Sequence, residues 1–473
     1  MGIEETSDSR SESESAGALA SYFGFDEHGT DLRTEMVAGL TTFLTMSYIV
    51  VVNPQILAQA IQLQGYSTSQ TQSMLAVVTL ISAAVATLVM AFYANRPFAQ
   101  APGLGLNAFF AFTVVLGMGV SWQTALAAVV VEGIVFIALT AVGAREYVIR
   151  IFPEPVKLAV GTGIGLFLAI IGLEAMGIIT GDAGTIVALA QIGQSPVAIV
   201  SIVGLFVTFA LYARGVPGSI ILGILFTSAL GYGAEWAGLV AGGTLTPGST
   251  QATYNIAPLA GAFLTGLGDI EAFSFALVVF TFFFVDFFDT AGTLTGVSQI
   301  AGFLDENGDL PDIDRPLMAD AIGTTVGGML GTSTVTTYIE SASGVEEGGR
   351  TGMTALTVAI LFLLALAFIP IAAAVPMYAS HIALVVIGVV MFQNVVDIDW
   401  SDITNVVPAG MTILLMPFSF SIAYGIAAGI VSYPIVKLAA GEVEDTRPGH
   451  WALAAAFVVY FFVRTSGMLQ GNV

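Results

Sequence analysis

The sequence predicts an all-α protein that crosses a membrane many times. Of its 473 residues, 56% are hydrophobic and only 10% are charged, and the mean hydropathy is +0.88. Soluble domains are about 25% charged, so this few charges could not cover the surface of a compact soluble body. Apolar runs near the roughly 20 residues that cross a bilayer as a helix recur along the chain.

Composition excludes several classes of function. Lys and Arg total 12 against 34 Asp and Glu, a net charge of −22, so the basic surface that nucleic-acid binding needs is missing. The chain has no cysteine, which removes disulfides and thiol nucleophiles, and its three histidines are scattered. We therefore expect no metal site and no bound cofactor.

The acidic excess lies outside the apolar runs, at 1–31, 305–314 and 442–445. Dense negative charge on a solvated surface repels itself unless salt screens it, which favours a halophilic host. The alternative is that residues 1–31 are simply an acidic, disordered cytoplasmic tail.

Apolar spans surround two short, glycine-rich and interrupted stretches, 102–120 and 317–350. The clear spans run at 35–60, 74–94, 122–142, 155–178, 196–213, 217–240, 272–300, 354–376 and 381–397. Residues 405–438 are long enough for two more spans, with Pro417 at a break. The run 451–463 is short for a span and is compatible with an interfacial position.

Basic residues predict the orientation. If fourteen segments alternate, nine basic residues fall on the side of the N-terminus, and the positive-inside rule makes that side cytoplasmic. These nine are Arg33, Arg96, Arg145, Arg150, Lys157, Arg214, Arg315, Arg350 and Lys437. Seven segments per half would place the two halves inverted in the plasma membrane, and paired interrupted segments in inverted halves are typical of a transporter's central site.

The segment from Phe282 to Thr293 carries the strongest chemical signal. Asp286 and Asp289 lie in a run rich in phenylalanine, where a charged side chain costs roughly 2.5–3.5 kcal/mol at a helix centre. Helical spacing places both acids and Thr290 on one face. They either face a polar cavity, where the pair could hold a proton, or join helices through hydrogen bonds.

A second polar segment spans 331–344. Its β-branched run 334–337 favours a short strand, and Glu340 follows at the junction with a half-helix. Extended backbone at membrane depth is tolerated only inside protein or beside a cavity. Glu340 therefore either faces a cavity or caps the following helix.

The counterpart in the first half, 101–110, combines Pro102 and two glycines with Asn107. The Asn107 amide offers donors and an acceptor to a ligand, but it could equally cap a helix. Carboxylates, an amide and phenylalanine rings around one cavity suit a neutral, planar solute with several hydrogen-bond donors. This chemistry alone does not separate a nucleobase from other flat polar solutes.

Several motifs in order resemble the nucleobase–cation symporter family, in its AzgA-like branch of hypoxanthine, guanine and adenine permeases within the xanthine/uracil permease superfamily. The matching stretches are 38–48 with Asn53 and Pro54, 101–108, 286–293, 331–334, 338–341 and 348–352. The resemblance covers about residues 33–440.

The resemblance implies fourteen transmembrane segments as two inverted seven-segment repeats, with short strands in broken segments 3 and 10. A core domain would comprise 32–142 and 272–378, and a gate domain 143–271 and 379–440. A C-terminal segment, 441–473, would follow.

The resemblance also implies secondary active import of purine nucleobases by symport with a cation, usually a proton, and an elevator-type movement of core against gate. Sodium remains open for a saline host, and a homodimer is expected by analogy. The substrate-binding residues would be Asp289, Glu340, Asn107, Thr290 and Thr334. The proton-coupling candidates are Asp286, Asp289 and Glu340.

Two other classes compete with this interpretation. An anion exchanger or channel on the same fold would have to pass cargo that intramembrane acids repel. An intramembrane enzyme could use the paired acids, but the sequence offers no nucleophile–base set or metal cluster. We therefore expect a transporter and not an enzyme.

Overall fold

The molecule is a mostly helical, multi-pass membrane protein, as the sequence predicts. The computed structural model describes residues 17–143, 152–182, 185–247, 251–268, 272–306 and 310–465. Within these residues, ten helices are long and apolar enough to cross a membrane. Shorter apolar helices run at Leu104–Gly117, Ile403–Phe418 and Pro448–Val459. The count of fourteen crossings and the inverted repeat stay predictions.

The elements before residue 268 contain the first interrupted segment. In chain order they are α1 (Phe25–His28), α2 (Leu32–Met46), α3 (Ile49–Ala60), α4 (Thr68–Val89), β1 (Gln100–Pro102), α5 (Leu104–Ala108), α6 (Trp122–Ala141), α7 (Glu154–Ala175), β2 (Ile179–Asp182), β3 (Thr185–Leu189), α8 (Pro196–Ala213), α9 (Ser219–Trp236) and α10 (Phe263–Gly266). Two π-helical stretches, Met90–Ala94 and Phe109–Gly117, extend α4 and α5.

The remaining elements contain the second interrupted segment. They are α11 (Ala272–Ala301), α12 (Asp314–Leu330), β4 (Val335–Thr337), α13 (Ser341–Glu346), α14 (Gly352–Ala365), α15 (Ile369–Ala374), α16 (Met377–Ser380), α17 (Ile382–Met391), α18 (Ile403–Phe418), α19 (Ile422–Ala440) and α20 (Pro448–Thr465).

Strands β1 and β4, one from each interrupted segment, pair antiparallel. Their register places Gln100 opposite Thr337, Ala101 opposite Thr336 and Pro102 opposite Val335, and all six residues are buried. The Gly103 N–H donates to the Thr334 carbonyl at 3.1 Å, which extends the pairing. The strand predicted from the β-branched run 334–337 is confirmed. We call this pair and its flanking residues the strand crossing.

Glycine lets α12 pack directly behind the strand crossing. A Cβ on Gly327 would lie 2.6 Å from Cγ2 of Val335, closer than real Cβ contacts, so only glycine allows this approach.

Part of the tail predicted to be disordered is helical. Residues 17–28 form two short helical runs, and Phe23 is fully buried. The side-chain amide of Asn95 donates to the Phe23 carbonyl at 3.2 Å. Burial of Phe23 explains why this part of the tail is ordered, whereas residues 1–16 lie outside the described part of the chain.

The last described element is α20, which contains the run 451–463. Its Phe457 ring lies 5.8 Å from that of Phe280 in α11, so the helix packs against the body of the protein. Arg145 and Arg150, which support the predicted orientation, lie outside the described residues.

Candidate functional site

A cavity of about 620 Å³ lies beside the strand crossing. Its volume is typical of sites for small organic ligands. On one side are α11 and the strand crossing, and on the other are α7 and α17. Its polar and ionisable lining residues are Tyr48, Lys157, Asp289, Thr293, Thr295, Gln299, Thr336, Thr337, Tyr338, Glu340, Gln393 and Asp397.

Asp289, on α11, presents its carboxylate to this cavity. Among the described residues, no hydrogen bond occupies that carboxylate. Gly103 lies beside it, and a Cβ there would be in ordinary van der Waals contact with Oδ2 of Asp289, at 3.8 Å. The carboxylate is therefore available to an incoming hydrogen-bond donor.

Glu340 lines the same cavity from the end of the strand crossing. It occupies the N-cap position of α13, but its side chain makes no capping hydrogen bond. The Tyr48 hydroxyl instead donates to Oε1 of Glu340 at 2.5 Å, which leaves the second oxygen for a ligand. The Glu340 side chain therefore faces a cavity and does not cap the following helix.

Thr290 lies behind the cavity wall. Its hydroxyl is fully buried and is 2.9 Å from Oδ2 of Asp320 and 2.8 Å from the Thr336 hydroxyl. Thr290 is absent from the described lining of the cavity. Its hydrogen bond instead supports Thr336, which does line the cavity.

Asp320, on α12, joins four elements behind the strand crossing. Its Oδ1 accepts from the Thr337 N–H at 2.8 Å, from the Thr337 hydroxyl at 3.0 Å and from the Gln100 amide at 3.2 Å. With Thr290 as a further donor, the carboxylate is satisfied without any cation. The sequence signal for this role is an acid among small residues at the start of a glycine-rich stretch.

Asn107 and Thr334 also lie within the strand crossing and outside the described cavity lining. The Asn107 amide donates to the Pro102 carbonyl at 3.3 Å and accepts a hydrogen bond from the Ser333 hydroxyl. Both Asn107 and Thr334 are fully buried. The Asn107 side chain joins the two interrupted segments, whereas the Thr334 hydroxyl has no hydrogen-bond partner among the described residues.

Asp286 is fully buried on α11, where its Oδ1 accepts from the Thr290 hydroxyl at 3.4 Å. Facing it is Glu132, on α6, which is also fully buried. Sequence reasoning missed Glu132, although a lone carboxyl inside the apolar run 122–142 is itself a signal of a functional site.

The aromatic lining differs from the prediction. Tyr48 and Tyr338 border the cavity, whereas Phe282 packs 4.9 Å from Phe109, ring centre to ring centre. The phenylalanines of α11 with described side chains instead serve helix packing. No group of three or more His, Cys, Asp or Glu side chains suited to a metal ion occurs in the described part of the chain.

A family comparison agrees with this architecture. Residues 33–430 match the Xan_ur_permease model, which is described as a permease family. The chain belongs to that family. This permease is 40% identical to the adenine permease AdeP of Escherichia coli over 94% of its own length and 96% of the relative. It is 41% identical to the guanine/hypoxanthine permease PbuG of Bacillus subtilis, over 94% and 99%. The predicted family is confirmed. The prediction that the protein is a transporter, and not an enzyme, is confirmed as well.

Solved structures share the fold of the permease. The transmembrane domain of a cyanobacterium bicarbonate transporter, BicA, superposes with a TM-score of 0.56, over 84% of this chain and 97% of that one. Their sequences are only 14% identical, so this likeness concerns the fold alone.

Proposed function

We propose that this permease imports purine nucleobases across the plasma membrane. The observation that carries the proposal is the pair of carboxyl groups, Asp289 and Glu340, that face one cavity of about 620 Å³. Two of its relatives are named as permeases of adenine and of guanine/hypoxanthine.

The chemistry of the cavity suits a purine. A purine carries ring N–H groups and, in adenine and guanine, an exocyclic amine, and carboxylates are acceptor-only groups that receive such donors. The Tyr48 and Tyr338 rings offer flat apolar faces beside them. The Asn107 amide and the Thr290 hydroxyl would affect the substrate indirectly, by holding the strand crossing in shape. Thr334 would do so through its carbonyl, which accepts from the Gly103 N–H.

We further propose that import is symport with a cation. A proton is the preferred candidate for this cation, and sodium is the alternative. The core (32–142 and 272–378) would move against the gate (143–271 and 379–440) in an elevator-type cycle. The ten long helices, the segments 100–117 and 335–346, α12 and α18 together would supply fourteen crossings. The N-terminus would be cytoplasmic, and the cavity, which reaches Lys157 and Asp397, would then open inward.

Counterflow in reconstituted vesicles tests this proposal. Purified protein is placed in vesicles preloaded with unlabelled purine, and entry of radiolabelled hypoxanthine, guanine or adenine is measured with and without a pH gradient. We expect rapid exchange of at least one purine, and net accumulation when the outside is more acidic.

The competing function is anion transport, which the fold shared with a bicarbonate transporter makes worth measuring. Carboxyl groups in the cavity would repel an anion, so we expect no flux of sulfate or bicarbonate in the same vesicles. Anion flux without purine exchange would refute our choice.

A further inference from the structure

Glu132 and Asp286 form a buried carboxyl pair between α6 and α11. One turn along α6 from Glu132, the Phe136 ring packs edge-on against Phe283 at 5.6 Å and Phe287 at 6.1 Å. Asp286 lies between these two phenylalanines in the α11 sequence. This packing brings the two carboxyl groups within hydrogen-bonding reach of each other.

The pair has too few hydrogen atoms if both groups are ionised. The Thr290 hydroxyl reaches Oδ1 of Asp286, but no donor in the described part of the chain reaches Oδ2 or either Glu132 oxygen. The other ionisable groups that face the pair are Asp320 and Asp289, which are also acids. An unpaired buried charge is costly, so a hydrogen shared between the two carboxyl groups would supply the missing donor.

A line of hydroxyl groups connects this pair to the cavity. Thr336 lines the cavity, and its hydroxyl is 2.8 Å from that of Thr290. The Thr290 oxygen is in turn 3.4 Å from Asp286 and 2.9 Å from Asp320. Its one hydrogen can point to either acid, and Asp320 keeps three other hydrogen bonds when Thr290 turns away.

We propose that Glu132 and Asp286 together form a site for one proton, loaded from the cavity through Thr336 and Thr290. A hydronium ion in the cavity gives a proton to the Thr336 oxygen and becomes water, the Thr336 hydrogen passes to Thr290, and the Thr290 hydrogen passes to Asp286. Each hydroxyl gains one hydrogen and loses one, so one positive charge moves from the cavity to the carboxyl pair.

Two groups of acids then have separate roles in transport. This separation rests on the proposed purine symport: Asp289 and Glu340 contact the substrate, and the pair behind the wall carries the coupling proton. Glu132 is then a residue of the coupling machinery that does not touch the substrate.

The variant Glu132→Gln tests this role, because its amide permanently supplies the hydrogen that the pair otherwise takes from water. We expect purine exchange to persist. In the wild type, a gradient of one pH unit supports up to about tenfold accumulation at one proton per purine. In the variant, accumulation driven by that gradient should fall to the equilibrium level.

The matched control is Glu174→Gln, the same chemical change at the exposed end of α7. It should accumulate purine as the wild type does. Accumulation that persists in Glu132→Gln would overturn the proposal. So would a wild type that exchanges purines but never accumulates them in a pH gradient, whereas absence of purine exchange would refute the proposed function instead.

Infrared spectroscopy gives an answer that does not depend on transport. Wild-type protein in lipid should show the carbonyl stretch of a protonated carboxyl group, shifted in heavy water, that weakens as the pH rises. Glu132→Gln should lose that band and Glu174→Gln should keep it. If Glu132→Gln inserts poorly into the membrane, the pH titration of the wild type still tests the proposal. The absence of any carboxyl band that titrates would refute the proton site.

Discussion

The two interrupted segments meet as one strand crossing, yet they contribute different things to it. The first, from Gln100 to Gly117, contains no ionisable residue and lines the cavity with Gly103, Leu104 and Gly105. The second, around β4, brings Glu340 to the cavity. One segment therefore supplies the shape of the site, and the other supplies charge.

Each segment also depends on the other for its geometry. The Tyr338 hydroxyl, from the second segment, donates to the Pro102 carbonyl of the first at 2.5 Å. The Ser333 hydroxyl, also from the second, reaches Asn107 in the first. Shape and charge are therefore coupled, and substitutions in either segment should weaken transport by different amounts.

The largest effect is expected where charge is removed. Glu340→Gln and Asp289→Asn should each weaken purine uptake by about 100-fold, because a hydrogen bond to a charged group contributes roughly 1.5–3 kcal/mol. Uptake by cells, corrected for the amount of permease in the membrane, measures this. The control Glu346→Gln changes an exposed acid of α13 and should leave uptake unchanged. Near-normal uptake in either site variant would remove that residue from the site.

A smaller effect is expected where shape is changed in the first segment. In Gly103→Ala, the new Cβ would lie 2.7 Å from Cγ2 of Thr336 and 3.1 Å from Cδ1 of Leu106, so the crossing must shift. Overpacking of this kind costs about 1–3 kcal/mol, and we expect the half-saturating purine concentration to rise about tenfold. Gly233→Ala, which meets no atom within 4 Å, is the matched control. Unchanged affinity in Gly103→Ala would show that the first segment tolerates displacement.

The smallest effect is expected from the hydroxyl that orients Glu340. Tyr48→Phe removes the hydrogen bond to Oε1 but keeps the ring, and a typical net hydrogen bond is worth about 0.5–1.5 kcal/mol. The half-saturating concentration should therefore rise about three- to tenfold. Tyr93→Phe, at a half-exposed tyrosine, serves as control. A loss as large as that of Glu340→Gln would indicate that Tyr48 itself binds the substrate.

The sequence predicted those parts of the site whose physical cause lies within a short stretch of chain. Acids inside an apolar helix marked Asp286 and Asp289, and a β-branched run marked the strand before Glu340. These signals arise from the cost of buried charge and from backbone propensity, which a short stretch of sequence contains.

The remaining features depend on partners far apart in the chain. Gln100 meets Asp320 across 220 residues, and Tyr48 meets Glu340 across 292. No local pattern specifies such pairs, so Asn107 and Thr290 were expected on the cavity rather than behind it. Glu132 was overlooked because an apolar run with a single acid still resembles an ordinary span.

Asp320 constrains how cargo can cross. Its carboxylate, on α12, is held by donors from α11, β1 and β4. Moving β4 away from Asp320 would remove two of its hydrogen-bond donors, and moving α11 or β1 away would remove one. Each separation would leave a buried carboxylate with fewer partners, which costs free energy. We therefore expect α11, α12, β1 and β4 to move together as one rigid unit when the substrate crosses, with the sliding surface outside these four elements.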